Sequence, residues 1–336
     1  MSSSLNHTFD AEGLAIVKNQ RSTTTAAVGG QPMGTVLRDI NLPQTSCQVR
    51  SGVLLSKLTS FQVGGAAELF VAPQTLDQLA EAVQWGKERG LPVTVLGAGT
   101  NLLISDRGLQ GLVICLRRLR HSQIDPELAQ VGATGGYPVA RLAWQVAELG
   151  WAGFEWAAGI PGTVGGAVVM NAGAHRQATS DSLLSAQVLL PDSTLQQMSN
   201  EDLQFAYRTS VLQQQPGLVT YATFQLAPGG SPQQVTQTTK DFLHYRHTTQ
   251  PYNLPNCGSV FRNPKGDKAG RLIEQAGLKG YQVGAAQVSL LHANFVVNLG
   301  GATAQNILEV ITHVRDRVED KWSVRLHREV KLLGEF

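Results

Sequence analysis

The stretch from Glu155 to His175 constrains this chain most, because it is dense in glycine and carries no charge between its two ends. Five glycines remove Cβ atoms, and Pro161 fixes one φ angle and removes a backbone donor. By propensity alone such a segment makes a poor helix or strand. It is suited to bringing backbone N–H groups close to a flat, anionic ligand. For a single loop of this kind, a run of tight turns between packed strands remains the competing interpretation.

A second glycine loop, Gly97–Leu103, follows a predicted buried strand (PVTVL), and the two loops together favour a ligand site. This loop does not match the dinucleotide fingerprint G-x-G-x-x-G. Its third glycine position is Leu102, and residues 106–108 interrupt any helix. We therefore predict a strand–loop–strand unit. In it, turn amides and the side chains of Thr100 and Asn101 meet a pyrophosphate group without a helix dipole.

Length and composition exclude several classes of protein. The chain has 336 residues, enough for two or three domains with a hydrophobic core. Its net charge of +2 and its lack of a basic run with interleaved aromatics argue against a nucleic-acid partner. No apolar stretch reaches membrane-spanning length, and the N-terminus does not resemble a secretory signal. We therefore expect a cytoplasmic protein without membrane insertion. The three scattered cysteines predict neither a disulfide framework nor a metal site.

Composition and hydrophobic periodicity divide the chain into three parts. The first 50 residues are rich in small polar residues, and we predict a partly disordered extension with a short helix near Ala11–Lys18. A joint at Gly229–Pro232 separates the two ordered parts. Their predicted bounds are residues 51–228, with two α+β subdomains of about 51–120 and 121–228, and residues 229–336.

Eight segments, in this order, resemble the UDP-N-acetylenolpyruvoylglucosamine reductase family, flavoenzymes of peptidoglycan precursor synthesis. They run from about Leu58 to the C-terminus: TSFQVGGAAE, VLGAGTNLL, AGIPGTVGGAVVMNAGA, YRTS, TQPYNLPNCGSVFRNP, AGRLIEQAGLKG, AQVSLLHANFVVN and REVKLLG. The resemblance implies an α+β fold. A two-subdomain FAD-binding module of the vanillyl-alcohol-oxidase (PCMH) type would precede a smaller α/β substrate-binding domain. The short spacing from Val288 to Phe336 resembles the shorter subtype of the family.

The resemblance also implies a reaction. NADPH reduces non-covalently bound FAD, and hydride then passes to the vinyl carbon of UDP-N-acetylglucosamine enolpyruvate, giving UDP-N-acetylmuramate. The family motifs place the catalytic groups on Arg208, which faces the substrate carboxylate, on Ser259, the proton donor, and on Glu329, which holds the enolate. Each has a plainer interpretation: a surface ion pair for Arg208 or Glu329, and a turn serine for Ser259. Cys257 competes with Ser259, but we interpret it as a small core residue.

The same motifs imply binding residues. An arginine is suited to a diphosphate, and the substrate-binding positions are Tyr207, Arg246, Arg262 and Asn263. Leu290-Leu291 stands where the family more often has a charged pair. The residues expected to bind the cofactor are Gly97, Ala98, Gly99, Thr100, Asn101, Leu102, Gly159, Ile160, Pro161, Gly162, Thr163, Gly165, Gly166, Asn171, Ala172 and Gly173.

Two other classes of function remain open at this point. A related flavin oxidase would often hold its flavin covalently through a His or Cys, and the glycine loops offer His175 alone. We expect that side chain near the isoalloxazine or pyrophosphate edge but unattached. A non-catalytic protein that binds a nucleotide sugar is the other alternative. We expect a monomer.

Overall fold

The computed structural model describes residues 39–215 and 217–336. The predicted helix near Ala11–Lys18 and most of the predicted N-terminal extension lie outside these ranges. Within them the helices are α1 (Leu76–Glu88), α2 (Val139–Glu148), α3 (Val164–Met170), α4 (Pro232–Thr249), α5 (Ala269–Gln275) and α6 (Ala304–Trp322).

The strands alternate with these helices and fall into several sheets. In chain order they are β1 (Ile40–Asn41), β2 (Gln48–Leu54), β3 (Ala66–Val71), β4 (Val93–Leu96), β5 (Leu102–Ile104), β6 (Leu109–Cys115), β7 (Ser122–Asp125), β8 (Gln130–Thr134), β9 (Gly173–Ala174), β10 (Gln177–Ala178), β11 (Leu183–Leu189), β12 (Leu195–Ser199), β13 (Leu218–Gln225), β14 (Gln282–Val283), β15 (Ala286–Val288), β16 (Val296–Asn298) and β17 (Lys331–Leu333).

The first sheet has the strand order β1-β2-β3-β6-β4. Strands β3, β6 and β4 are parallel, while β1 and β2 are added antiparallel at one edge. Helix α1 packs Leu79, Ala82 and Trp85 into the core of this sheet. Composition predicts an extension through residue 50, whereas Ile40–Asn41 and Gln48–Leu54 pair within the sheet. Val49 is buried there, so tertiary packing orders a segment whose composition looked disordered.

The second sheet is antiparallel, with the order β12-β11-β13-β8-β7. Helices α2 and α3 share its core, where Phe154 meets both Trp156 and Phe224 at ring-centroid distances of 5.7 and 5.0 Å. The segment Glu155–Gly159 forms a 3₁₀ turn that carries Trp156 into this core. The glycine-rich stretch therefore begins as a buried part of the second subdomain.

Helix α3 lies inside the glycine-rich stretch, contrary to the sequence-based expectation of a poor helix. Thr163 caps its N-terminus, since its hydroxyl accepts from the Gly166 N–H at 3.4 Å. Each interior glycine costs about 1 kcal/mol relative to alanine. Complete burial of Val164 and Val168 stabilises the folded chain by about 1.5–3 kcal/mol each, which offsets that loss. Packing against the second sheet therefore outweighs propensity.

The loop after β4 has the predicted strand–loop–strand form, because β5 begins at Leu102 without an intervening helix. Gly99 has a φ angle of +68°, and a Cβ built there would lie 2.1 Å from the carbonyl oxygen of Leu58. Only glycine fits this turn.

The last part of the chain packs β14-β15-β16 against α5 and α6, and its core also includes Phe61, Val63 and Leu103 of the first subdomain. Ile307, Val310, Ile311, Val314 and Val318 form the buried stripe of α6 that the sequence periodicity predicts. The final strand, β17, leaves this domain and pairs in parallel with β5 of the first subdomain. This pairing brings the C-terminal segment alongside the first glycine loop.

In the described ranges, no helix combines the length and apolarity that a membrane crossing requires.

Candidate functional site

A cleft of about 1800 Å³ opens where the two glycine loops and the C-terminal domain meet. Small-ligand sites usually measure about 300–1,000 Å³, so this cleft has room for more than one ligand. Fourteen of the predicted cofactor residues line it: Gly97, Ala98, Gly99, Thr100, Asn101, Leu102, Ile160, Pro161, Gly162, Thr163, Gly165, Gly166, Ala172 and Gly173.

The other two predicted cofactor residues lie behind the cleft wall. Gly159 lies against Arg246, and a Cβ built on it would be 2.3 Å from the Arg246 Cδ. Asn171 is buried at the C-terminal end of α3, where its Nδ2 donates to the Ala206 carbonyl and its Oδ1 accepts from the Ser180 N–H. Both residues support the loop that lines the cleft.

Arg208 and Glu329 form an ion pair, with Arg208 Nε 3.3 Å from Glu329 Oε1. Their side chains are only 21% and 17% exposed, so this is not the surface pair that the plainer interpretation supposed. Arg208 has a φ angle of +56°, and its Nη2 also donates to the Gly173 carbonyl at 2.5 Å. The guanidinium is therefore tied to the second glycine loop and to Glu329 at once.

Burial raises the pKa of Glu329 above its ordinary value. The positive charges of Arg208, Arg262 and Lys331 oppose this rise, in that order of strength. One carboxylate thus faces three cations in a partly water-excluded site. Such a cluster has an excess of positive charge and suits an anionic ligand.

Ser259 lines the same cleft as Arg208 and Glu329. The backbone around it is fixed, because the carbonyl of its neighbour Val260 accepts the Glu329 N–H at 2.7 Å. Gly258, with a φ angle of +82°, sets the direction of the preceding turn. Among the described residues no group hydrogen-bonds to the Ser259 hydroxyl, so that hydroxyl is available to a ligand.

Cys257 is buried in the core of the C-terminal domain. Burial raises the pKa of its thiol, and the charge of Glu329 raises it further. A thiol in such surroundings stays protonated and is a poor nucleophile. This agrees with its interpretation as a core residue.

Three of the four predicted substrate residues line the cleft. Tyr207 is 53% exposed, and the Arg208 guanidinium lies 5.1 Å from its ring centroid. Arg246 Nε donates to the Tyr252 hydroxyl at 3.0 Å. Asn263 already uses its Oδ1 to accept the Ala269 N–H at the start of α5.

Arg262, the fourth, does not line the cleft. Its Nη2 reaches Gln213 Oε1 at 3.4 Å, and its buried Nε has no hydrogen-bond partner in the described part of the chain. Its charge acts on Glu329 and Lys331 instead. Contact between Arg262 and the substrate diphosphate, which the resemblance implied, therefore stays a prediction.

His175 does not line the cleft, although we expected it near the flavin. Its ring stacks on Phe242 with centroids 4.0 Å apart. Burial and the charge of Arg246 lower its pKa, so the ring stays neutral over more of the pH range. The side chain fastens the second glycine loop to α4.

Sequence reasoning missed three residues around the site. Lys331 lines the cleft on the same side of the final segment as Glu329, and the alternation of residues along that segment was the signal that could have identified it. Gln213 donates from Nε2 to the carbonyls of Val169 and Arg208. Arg117 Nη2 donates to the carbonyls of Leu58 and Ala98 behind the first glycine loop. No sequence pattern marks the last two.

Two family models match separate parts of the chain. The model described as "FAD binding domain" matches residues 67–199, which include both glycine loops. The model described as "UDP-N-acetylenolpyruvoylglucosamine reductase, C-terminal domain" matches residues 250–333, which include Ser259 and Glu329. The predicted fold class, an FAD-binding module followed by a smaller domain of this reductase type, is confirmed.

Curated relatives and a solved structure agree with these matches. The chain is 57% identical over 297 residues to UDP-N-acetylenolpyruvoylglucosamine reductase of Nostoc sp., covering 88% of this chain and 90% of the relative. It is 51% identical to the reductase of Acaryochloris marina, covering 89% and 97%. The crystal structure of the reductase from Thermus caldophilus aligns with a TM-score of 0.71 at 33% identity, covering 84% of this chain and 98% of that one. This chain therefore belongs to the UDP-N-acetylenolpyruvoylglucosamine reductase family.

Proposed function

We propose that this protein uses NADPH and non-covalently bound FAD to reduce UDP-N-acetylglucosamine enolpyruvate to UDP-N-acetylmuramate. One observation carries the proposal beyond family membership. The Arg208–Glu329 ion pair and Ser259 share a single cleft with both glycine loops. A cation, a carboxyl group and an unengaged hydroxyl are the groups that reduction of an enolpyruvyl ether needs.

The residues of the cleft fit FAD. A Cβ built on Gly162 or Gly166 would have no neighbour closer than 3.7 and 3.5 Å respectively, so neither position is crowded, and both glycines present backbone without a side chain to the cleft. Such a surface allows a ring or a phosphate to approach the amides closely. We assign FAD binding to residues 51–228, extended by the strands from Ile40 onward, and substrate binding to residues 229–336. FAD held there would supply the redox chemistry, carrying a hydride from NADPH to the terminal vinyl carbon of the substrate.

Arg208 binds the substrate carboxylate in this proposal. Hydride addition at the vinyl carbon leaves negative charge on the adjacent carbon, and that charge spreads into the carboxylate. A fixed guanidinium stabilises this charge without reorganising, which is the basis of oxyanion-type catalysis. Glu329 and the Gly173 carbonyl hold the guanidinium in place.

Ser259 then donates its proton to the carbon next to the carboxylate, which completes the saturated lactyl ether. An unperturbed hydroxyl is a weak acid, so the carbon must be strongly basic and nearby cations must stabilise the alkoxide. Lys331 and Arg262 add to the positive charge of the site. Solvent returns a proton to Ser259 after the reaction.

A flavin oxidase with a covalent flavin is less well supported. His175 is engaged with Phe242 away from the cleft, and the three cysteines are buried. Acid precipitation distinguishes the two: a colourless pellet supports non-covalent FAD, and a yellow pellet supports the oxidase. A protein that stays colourless after FAD addition would support the non-catalytic binding protein.

The activity test uses purified protein with NADPH and the enolpyruvyl substrate. We expect NADPH oxidation that depends on substrate, one equivalent per product, with the product heavier than the substrate by two hydrogens. NADPH oxidation without conversion of the substrate contradicts the proposal. We also propose that the protein is a cytoplasmic monomer, which cell fractionation and light scattering can test.

A further inference from the structure

Asn101 connects the first glycine loop to the segment that carries Glu329. Its side-chain Nδ2 donates to the backbone carbonyl of Glu329 at 3.1 Å. Its own carbonyl accepts the N–H of Lys331 at 3.0 Å. Asn101 therefore makes two hydrogen bonds to the segment 329–331, donating in one and accepting in the other.

These bonds complete the fixation of the Glu329 backbone. The N–H of Glu329 is held by the carbonyl of Val260, next to Ser259, at 2.7 Å. Its carbonyl is held by Asn101. The position of Glu329 is thus defined on one side by the serine loop and on the other by the glycine loop. The carboxyl group then meets Arg208 at 3.3 Å.

We propose that Asn101 is a positioning residue that holds Glu329 in register with Arg208 and with the glycine loop. This inference rests on the proposed function. It changes the role that the sequence suggested for the Asn101 side chain, which was contact with a pyrophosphate. The inference also explains why the last strand crosses back to β5: the crossing joins a catalytic carboxyl group to the cofactor loop.

Loss of the Asn101 amide should displace Glu329 without unfolding the protein. A hydrogen bond of this kind contributes about 0.5–1.5 kcal/mol net, and the pairing of β17 with β5 remains to hold the strand. The effect on chemistry is larger, because a displacement of about 1 Å near reacting groups can slow a reaction about a hundredfold.

The test replaces Asn101 by the similarly shaped leucine in the FAD-loaded enzyme. For N101L we expect FAD dissociation constants and the rate of flavin reduction by NADPH within about threefold of wild type. Oxidation of the reduced enzyme by the enolpyruvyl substrate should be at least about tenfold slower, by the sensitivity of reacting groups to misplacement. N101S, a smaller change, replaces N101L should the latter fail to fold.

A pH profile adds a readout that general loosening would not move. The groups acting on the Glu329 carboxyl are Arg208, Arg262 and Lys331, and Cys257 is the neighbouring thiol. The positive charge of Arg208 lowers the pKa of Glu329, and a looser ion pair weakens that effect. In the pH profile of the oxidation rate, the limb due to Glu329 is the one that is absent in E329Q. That limb should move to higher pH in N101L.

Asn298 provides the matched control. Its Nδ2 donates to the Phe61 carbonyl at 2.9 Å, a bond that also joins the C-terminal domain to the first subdomain, and its Oδ1 accepts the N–H groups of Gly300 and Ala302 within its own domain. N298L should leave the oxidation rate and the pH limb unchanged. Equal slowing in N298L and N101L would overturn the inference, as would a loss of FAD affinity in N101L with a normal oxidation rate. Failure of the proposed function itself would appear in the wild-type protein, which would then not oxidise its flavin with the substrate.

Discussion

The guanidinium of Arg208 contacts the carboxylate of Glu329 at 3.3 Å, and the two residues come from different domains of the chain. Arg208 lies in the connection between β12 and β13 of the second sheet, whereas Glu329 lies just before β17, the final strand. Neither side chain is more than about a fifth exposed. The ion pair can therefore form only when the C-terminal domain is docked on the FAD-binding module.

Arg208→Lys keeps the positive charge but loses the planar guanidinium. That group contacts Glu329 and the Gly173 carbonyl, and in the proposed function it also binds the substrate carboxylate. We expect it to slow oxidation of the reduced enzyme by substrate at least about a hundredfold, as removal of one oxyanion-hole donor does. Rapid mixing of the reduced variant with substrate measures this. A rate close to that of wild type would refute the role of Arg208.

Ser259→Ala removes the proposed proton donor without touching the reductive step. Flavin reduction by NADPH should stay nearly intact, and oxidation by the enolpyruvyl substrate should slow by about 10²–10⁴-fold, the usual contribution of a positioned acid. The two half-reactions can be followed separately by flavin absorbance. Equal losses in both would rule out the proton-donor role.

Glu329→Gln should change how stability depends on pH. Burial raises the pKa of Glu329 above its ordinary value, so between that value and the raised pKa the folded state binds more protons than the unfolded state. This group therefore lowers stability as pH rises through that window. E329Q should become more stable relative to wild type over the same window, as measured by urea unfolding at a series of pH values.

Asp267→Asn is the control for this prediction, because the pKa of Asp267 is shifted in the opposite direction to that of Glu329. The hydrogen bond from Arg271 lowers the pKa of Asp267 to about 2, so this group stabilises the folded state above its ordinary pKa and loses that effect as pH falls. D267N should therefore lose stability relative to wild type as pH rises from about 2 to about 4. A relative stability of E329Q that falls with rising pH would contradict the burial of an acidic Glu329.

Gly162→Ala and Gly99→Ala separate ligand contact from folding. The added methyl group at Gly162 makes only ordinary van der Waals contacts, 3.7 Å from Ile160 Cγ2 and 3.9 Å from Thr100 Oγ1, so stability should be unchanged while FAD affinity falls about tenfold, about 1.4 kcal/mol. At Gly99 it meets the Leu58 carbonyl at a positive φ angle. Unfolding free energy should drop by more than about 2 kcal/mol, as is usual when strain and overpacking combine. Chemical unfolding and fluorescence titration with FAD measure the two effects. Normal FAD affinity in G162A would place the cofactor elsewhere.

Local patterns in the sequence predicted much of the secondary structure. The strand–loop–strand form of the first glycine loop follows from its turn chemistry, and the apolar stripe of α6 follows from side-chain periodicity. Thr75, which caps α1, is a local signal of the same kind. The convergence of Arg208 and Glu329 could be expected only from the family resemblance, because nothing local connects two residues so far apart in the chain.

Long-range packing decided what the sequence could not predict. Helix α3 forms among glycines because Val164 and Val168 are buried, and β2 is ordered because the first sheet extends over it. The pairing of β17 with β5 has no local signal at all. The charge of Arg262 does not depend on the direction of its side chain, so the sequence cannot tell whether it lines the cleft. In the structure its charge acts on Glu329, and the side chain does not line the cleft.

The most direct measurement is anaerobic double mixing with a flavin absorbance readout. The protein is mixed first with NADPH and then, once bleached, with UDP-N-acetylglucosamine enolpyruvate. We expect the flavin band to disappear in the first step and to return in the second, with the return slowed in R208K, S259A and E329Q but not in N298L. A flavin band that bleaches with NADPH and does not return with substrate would contradict the account, and so would a return at the same rate in all four variants.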